Sequence, residues 1–286
     1  MRPDDWHLID DLPEFLARAG EFLRSRPALH TVPLTVTEGL RTRGPDTYGD
    51  ETPYFGVLER AGTVRAVYFR TPPYPLQVTP LAPEETDALA AHLAGRGRDL
   101  PGVSGERATA AALAGAWERH TGAAAALHER QRLYRLGALT VPQPWPAGRA
   151  RIAGAADREQ LVCWYGEFTE AVGHEAPSRA ESWADARIAS GGLTLWEDAD
   201  GSPLSMAGTT PMVAGQIRVA PVYTPAPLRG RGYAGAVTTE VSRAAQAAGA
   251  DEVLLFTDLA NPTSNALYRR IGYRPVADFA VYRFTA

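Results

Sequence analysis

Between Ile217 and Gly235 the chain reads IRVAPVYTPAPLRGRGYAG, an apolar strand that breaks into an arginine- and glycine-rich loop and then opens a helix. That helix is predicted over Tyr233 to Ala248. It begins with main-chain NH groups that have no partner inside the helix, and its dipole adds partial positive charge at the same end. An anion fits there. Gly230 and Gly232, lacking Cβ, let the amides turn inward and let a ligand approach the backbone closely, which makes a concave nest of donors. Arg229 and Arg231 add forked donors suited to pyrophosphate oxygens.

Gly230, Gly232 and Gly235 also satisfy the dinucleotide fingerprint G-x-G-x-x-G, and Asp258 would then imitate its ribose-binding acid. A dinucleotide fold needs a long series of parallel strands after this loop, and too little chain follows Gly235 to build one. A purely structural glycine turn is the third reading.

Two ordered landmarks favour the phosphate nest. Arg229, Gly230, Arg231, Gly232, Tyr233 and Ala234 reproduce the pattern Q/R-x-x-G-x-G/A. After an apolar strand, Glu252 to Thr257, the chain presents Asn261, Ser264, Tyr268 and the Gly272–Tyr273 pair. On these residues the chain resembles the GNAT superfamily of acyl-CoA-dependent N-acyltransferases, and its glycine-acyltransferase-like branch in TDLANPTSN and YRRIGYRPV. The resemblance covers Arg149 to Phe284.

The proline-dense run Val141 to Gly148 resists helix and is the expected linker, giving domains 1–140 and 149–286. In the second domain Arg149–Ala155 reads as a strand, and Asp157 and Ser178 as caps of two helices. Leu193–Glu197 and Pro203–Thr210 read as a hairpin turning at Gly201, and a final strand pair is expected up to Phe284. Pro262 suits the first position of a helix capped by Asn261.

The first domain repeats the order. Asp11–Arg24 reads as helix, Leu29–Arg41 is ambiguous, Tyr54–Glu59, Thr63–Arg70 and Leu76–Thr79 alternate like strands, Pro83–Ala94 and Arg107–His120 read as helices, and Gln131–Leu136 closes. Its strand-to-helix junction lacks glycines and carries Glu84 and Glu85, which complement the helix terminus and would repel a pyrophosphate. The expected fold is therefore α/β: two tandem GNAT-like domains, each a mixed, largely antiparallel twisted sheet flanked by helices, the first degenerate.

Composition narrows function. The net charge of −4 gives no general attraction to nucleic acid or anionic membrane. All 29 basic residues are arginine, which with abundant alanine, glycine and proline points to a GC-rich bacterial genome. The single cysteine, Cys163, in the apolar run LVCWY, reads as a small core residue and excludes an internal disulfide. Neither a membrane span nor a basic leader is visible, so a cytoplasmic protein is expected. The histidine spacing shows no metal site.

The resemblance implies acetyl-CoA, or another acyl-CoA, as co-substrate, with its diphosphate on the amides from Gly230 to Ala234. It implies a splayed strand at Val222, Tyr223 and Thr224 that pairs with the pantetheine arm. Asn261 and Ser264 would hold cofactor or fix the helix start, and Tyr268 would be the acid that protonates the leaving thiolate, or simply a core aromatic. A base for the amine is expected among Glu167, Glu170, His174 and Glu175, with Glu170 the first candidate; a solvated acidic helix face explains the same residues. The expected activity is acyl transfer to a primary amine of a small molecule by direct attack. A CoA-binding scaffold without chemistry, or acylation of a protein N-terminus or lysine, are the alternatives.

Overall fold

The computed structural model describes residues 5–173 and 179–285, so Ser178, His174 and Glu175 lie outside the described residues. Its elements run in two series of identical order. The first comprises β1 (Trp6–Ile9), α1 (Leu12–Arg24), α2 (Thr31–Arg43), β2 (Tyr54–Arg60), β3 (Thr63–Arg70), β4 (Leu76–Val78), α3 (Pro83–Ala94), β5 (Gly102–Glu106), α4 (Arg107–Thr121) and β6 (Ala124–Leu136). The second comprises β7 (Arg149–Ile152), α5 (Arg158–Ala171), α6 (Ala180–Ala189), β8 (Leu193–Glu197), β9 (Pro203–Thr209), β10 (Gln216–Tyr223), α7 (Tyr233–Ala247), β11 (Glu252–Asp258), α8 (Pro262–Ile271) and β12 (Tyr273–Thr285).

Pairing repeats as well. In the first series β1, β2, β3 and β4 pair antiparallel in turn and β4 pairs parallel with β5; in the second, β7, β8, β9 and β10 pair antiparallel and β10 pairs parallel with β11. Two compact units result. One consists of residues 1–133, 257–260 and 276–286, the other of 134–256 and 261–275. The first unit thus takes its last strand from the chain's end, Phe279–Arg283 of β12 pairing antiparallel with Gly102–Glu106 of β5. The expected strand pair up to Phe284 is instead this one long strand.

Each sheet is covered on both faces. In the first unit α3 and α4 bury Leu89, Leu93, Leu113 and Trp117 against Trp6, Tyr68 and Leu76, while Phe15 of α1 stacks on Phe55 of β2 with ring centroids 4.7 Å apart. In the second unit α7 and α8 bury Val237, Val241 and Ile271 with Leu255 and Tyr273, and α5 and α6 bury Leu161, Trp164 and Ala184 against Leu195 and Met206.

Three local outcomes depart from or extend the sequence reading. The ambiguous segment is helix α2, whose β-branched threonines are accommodated by bonding back to carbonyls four residues earlier, Thr35 to Thr31 at 2.7 Å and Thr37 to Pro33 at 2.7 Å. Strand β5 escaped notice because it contains Gly102 and Gly105. A Cβ on either would press into the Tyr282 or Val78 carbonyl oxygen of the flanking strands, so glycine marks close approach and not a break. Cys163 is exposed and not in the core: Leu161 and Trp164 hold the buried face of α5, and the 3.6-residue period turns Cys163 away from it.

The run 141–148 lies inside the second unit. Trp145 meets Trp196 edge-on at 5.3 Å, and Trp196 Nε1 donates to the Ala147 carbonyl at 3.1 Å. Pro142 and Pro146 reach the start of α7, next to Gly235 and Gly232.

Candidate functional site: a split strand and a glycine-capped helix

Strand β10 has eight residues, yet only Gln216–Arg218 pair with Glu252–Leu254 of β11. From Val219 onward β10 continues alongside β9 alone, with a register shift between Val219 and Val222. Its edge towards β11 is therefore without a ladder partner among the described residues. Unpaired main-chain donors and acceptors along such an edge are a template for an extended, amide-bearing ligand. The strand end is fixed from the other side: the Ser205 hydroxyl donates to the Tyr223 carbonyl at 2.8 Å and lies 2.8 Å from the Thr224 hydroxyl. Val222, Tyr223 and Thr224 stand along this edge.

Beyond Thr224 one turn of tight helix, 226–228, leads to the glycine loop. Gly230 has φ +77° and Gly232 +87°, left-handed values that a side chain would strain. Gly230 has only open space where a Cβ would stand. Gly232 is the N-cap of α7, and no side chain among the described residues caps it, so the amides of the first turn are presented outward. A charge-assisted hydrogen bond contributes about 1.5–3 kcal/mol, whereas the dipole adds about 0.3–1 kcal/mol. For an anion placed there, the amides at Gly230 to Ala234 would contribute more than the dipole. Gly235 serves packing instead, since a Cβ there would sit 3.1 Å from Leu267 of α8.

The two arginines do different things. Arg229 Nε donates to the Thr224 carbonyl at 3.0 Å and its guanidinium lies 5.9 Å from the Tyr223 ring centre, so it ties the loop to the end of β10. Among the described residues Arg231 reaches only the Pro227 carbonyl, at 3.3 Å, and it is exposed.

Helix α8 begins as its sequence requires. The Asn261 side chain accepts from the Ser264 NH at 3.0 Å, so both residues are engaged at the helix start. The buried Asn265 carboxamide oxygen accepts from the Tyr134 hydroxyl at 2.9 Å and its nitrogen donates to the Asn261 carbonyl at 2.7 Å. Tyr268 is buried, edge-on to Tyr273 at 6.1 Å, and its hydroxyl has no hydrogen-bond partner among the described residues. Burial alone pushes that phenol up to about 12, which keeps it protonated at neutral pH.

Of the acidic candidates, Glu167 of α5 reaches the site: Tyr223 donates its hydroxyl to Glu167 Oε2 at 2.7 Å. Burial, then the bond to Glu167, raise the Tyr223 phenol to about 12. Glu170 is exposed, and among the described residues it makes no such link to β10. Ser205, Pro142 and Pro146 went unnoticed in sequence; the proline run was the available signal, since prolines that stiffen a linker also make rigid packing surfaces.

The equivalent place in the first unit is closed. All three residues of β4 pair with β5. Beyond them the Leu81 NH donates to Thr109 Oγ1 at 3.0 Å. Glu85 Oε2 accepts from the Ala82 NH at 2.9 Å, so a carboxylate occupies the N-terminus of α3.

A largely antiparallel sheet with one parallel pair, splayed beside a glycine-capped helix, is the fold of the GNAT N-acetyltransferases. Residues 214–283 match the family model described as FR47-like protein, which is GNAT-related. Among solved structures, a GCN5-related N-acetyltransferase from Sphaerobacter thermophilus superposes with a TM-score of 0.64 at 21% identity, covering 99% of this chain and 96% of that one. A GNAT-family acetyltransferase from Colwellia psychrerythraea gives 0.61 at 14% identity with 98% of each chain covered. One from Kribbella flavida gives 0.54 at 22%, covering 77% of this chain and 87% of that one. No curated protein sequence matches the chain. Among the described residues no group of three His, Cys, Asp or Glu could hold a metal, and no helix is long and apolar enough to cross a membrane.

Proposed function

We infer that the protein is an acyl-CoA-dependent N-acyltransferase, acetyl-CoA being the expected donor, that acylates a primary amine on a small molecule in the cytoplasm. The observation that carries this reading is the coincidence, in one unit, of an unpaired edge on β10 and outward amides at the start of α7. Coenzyme A has matching parts: an extended arm with two amides, and a diphosphate. The residues fit it. Val222, Tyr223 and Thr224 would line the arm, Gly230 to Ala234 would hold the diphosphate with Arg229 and Arg231 beside it, and Asn261 and Ser264 would border it from α8. The bound coenzyme supplies an activated acyl thioester.

What the chain must add is proton management and charge stabilisation. A main-chain NH on the free edge of β10 suits an oxyanion at the thioester carbonyl. Tyr268 holds its proton at neutral pH and would deliver it to the departing sulfur. Over the reaction a C–N bond forms and the C–S bond breaks. The ammonium gives up two protons: one ends on the thiol and one passes to solvent.

Purified protein offered acetyl-CoA and a panel of primary amines should release free thiol with at least one of them. Tyr268→Phe should lower that turnover by about 10²-fold or more with coenzyme affinity nearly unchanged. Equal turnover in both proteins would take Tyr268 out of the mechanism, and no thiol release with any amine would contradict the reading.

A further inference from the structure

The first unit, closed where the second is open, keeps a group of polar atoms elsewhere in its core. Trp6, Tyr54 and Tyr68 share the sheet face that α3 covers. Trp6 of β1 stands opposite Leu58 of β2, Tyr68 of β3 stands opposite Gly56, and Tyr54 follows on the same face of β2 by the two-residue period of a strand. Ring centres lie 5.5 Å apart for Trp6 and Tyr68 and 6.5 Å apart for Tyr54 and Tyr68. Gly56 permits this arrangement, because a Cβ there would collide with the Tyr68 ring, which lies across β2. All three aromatic side chains are buried.

Their polar atoms lack acceptors. Among the described residues no hydrogen bond reaches Trp6 Nε1 or the Tyr68 hydroxyl. The Tyr54 hydroxyl has none of good geometry either; burial raises its pKa, and the nearby Arg70 guanidinium opposes that rise. An indole NH can only donate, and a phenol donates as well. Buried donors in folded proteins almost always have an acceptor, because leaving one without forfeits its hydration for nothing in return. Phenylalanine would fill the same space without that cost.

Cations stand around this group. Helix α3 ends in the loop Gly95-Arg96-Gly97-Arg98, whose amides turn back to the helix, the Gly95 NH donating to the Ala91 carbonyl at 2.9 Å and the Arg98 NH to the Leu93 carbonyl at 3.2 Å. That turn lays the Arg98 guanidinium 4.5 Å from the Tyr54 ring centre. Burial is the main influence on the Tyr68 hydroxyl and raises its pKa; Tyr54 and Asp10 act in the same direction, and Arg96 and Arg98 act against it. The acidic neighbours are Asp10, 4.0 Å from Arg98, and Glu51, which acts on Tyr54. Arg70, Arg96 and Arg98 thus face the two phenols against Asp10 and Glu51, and the field favours a negative charge.

We propose that this end of the first unit binds a small oxyanion, a carboxylate or a phosphate, whose oxygens accept from the Trp6 indole and the Tyr68 and Tyr54 hydroxyls while Arg98 exchanges its long contact with Asp10 for one with the anion. Neutral donors converging with a guanidinium are the usual means of holding such a group. The site lies wholly in the first unit and does not depend on the acyltransferase reading of the second.

Thermal melts in chloride, acetate and phosphate at equal ionic strength test this. Acetate or phosphate at about 20 mM should raise the wild-type melting temperature by about 2 °C or more over chloride, and the anion with the larger effect identifies the class. The glycine loop of the second unit also suits an anion, so the rise must persist in Gly230→Val. It should disappear in Tyr68→Phe and in Arg98→Gln, a partly exposed position that carries the test should Tyr68→Phe fail to fold. In chloride, Tyr68→Phe should melt no lower than the wild type, since it removes a donor that has no acceptor. No rise with either oxyanion, or a rise undiminished in both variants, would overturn the proposal. So would a Tyr68→Phe protein that melts lower in every buffer while the wild type ignores both oxyanions, a result that assigns a buried water to these donors instead.

Discussion

Glycines at two bends of the second unit have opposite reasons for lacking a side chain. At Gly230 the backbone is left-handed and no protein atom stands where a Cβ would, so under the proposed function the position is open to a ligand. At Gly272 φ is +111° and a Cβ would collide with the Ala138 carbonyl oxygen, so the vacancy serves the fold. Gly272→Ala should therefore destabilise the protein by more than about 1 kcal/mol, and lower its melting temperature by about 2–4 °C for each kcal/mol. An unchanged melt would show that the turn relaxes. At this scale the sequence was legible wherever a residue's role is local. Asn261 capping α8, Gly201 in the β8–β9 turn at φ +84° and the Gly230–Gly232 loop all stand as their neighbours in sequence dictate. Asp157 was read as a cap, but its carboxylate instead accepts from the Gly154 NH at 2.8 Å and from Arg151 at 2.7 and 2.8 Å. Both partners are local, three and six residues away, just past the end of β7 and within it, and they take up the carboxylate that a helix cap would use. The Tyr223–Glu167 bond, in contrast, spans 56 residues, and no local pattern records it.

Elements show where charge holds the second unit together. Arg151 on β7 bonds both Asp157, ahead of α5, and Glu197, at the end of β8, while Arg149 Nε donates to Glu197 at 2.7 Å. The Arg151 guanidinium is the chief reason that both carboxyls lie below their usual range. In the unfolded chain these groups titrate at about 3.9 and 4.3. With folded values depressed, the network stabilises the fold fully above those values, and the contribution is lost as pH falls through the folded ones, because the unfolded state then binds more protons. Arg151→Met should thus melt well below the wild type at pH 7, and the gap should narrow between pH 5 and pH 3. A gap independent of pH would place the effect in packing alone. Helices and hairpins of this unit were readable because their periodicity and turn residues agree. The strands β1 and β5 were not, being four and five residues long and defined by what flanks them.

For the whole molecule, the repeated element order was visible in the sequence, while the pairing of the chain's last strand with β5 of the first unit was not, since a strand's pattern does not say which sheet it joins. The two units differ where function would lie. One leaves the end of its fourth strand open and its third long helix uncapped by side chains; the other seals both with Thr109 and Glu85. The account therefore requires one coenzyme A for each chain, bound in the second unit. Isothermal titration calorimetry with coenzyme A measures this directly: a stoichiometry of one, abolished by Gly230→Val with the fold intact, is the predicted result. No uptake by the wild-type protein, or uptake that survives Gly230→Val undiminished, would contradict it.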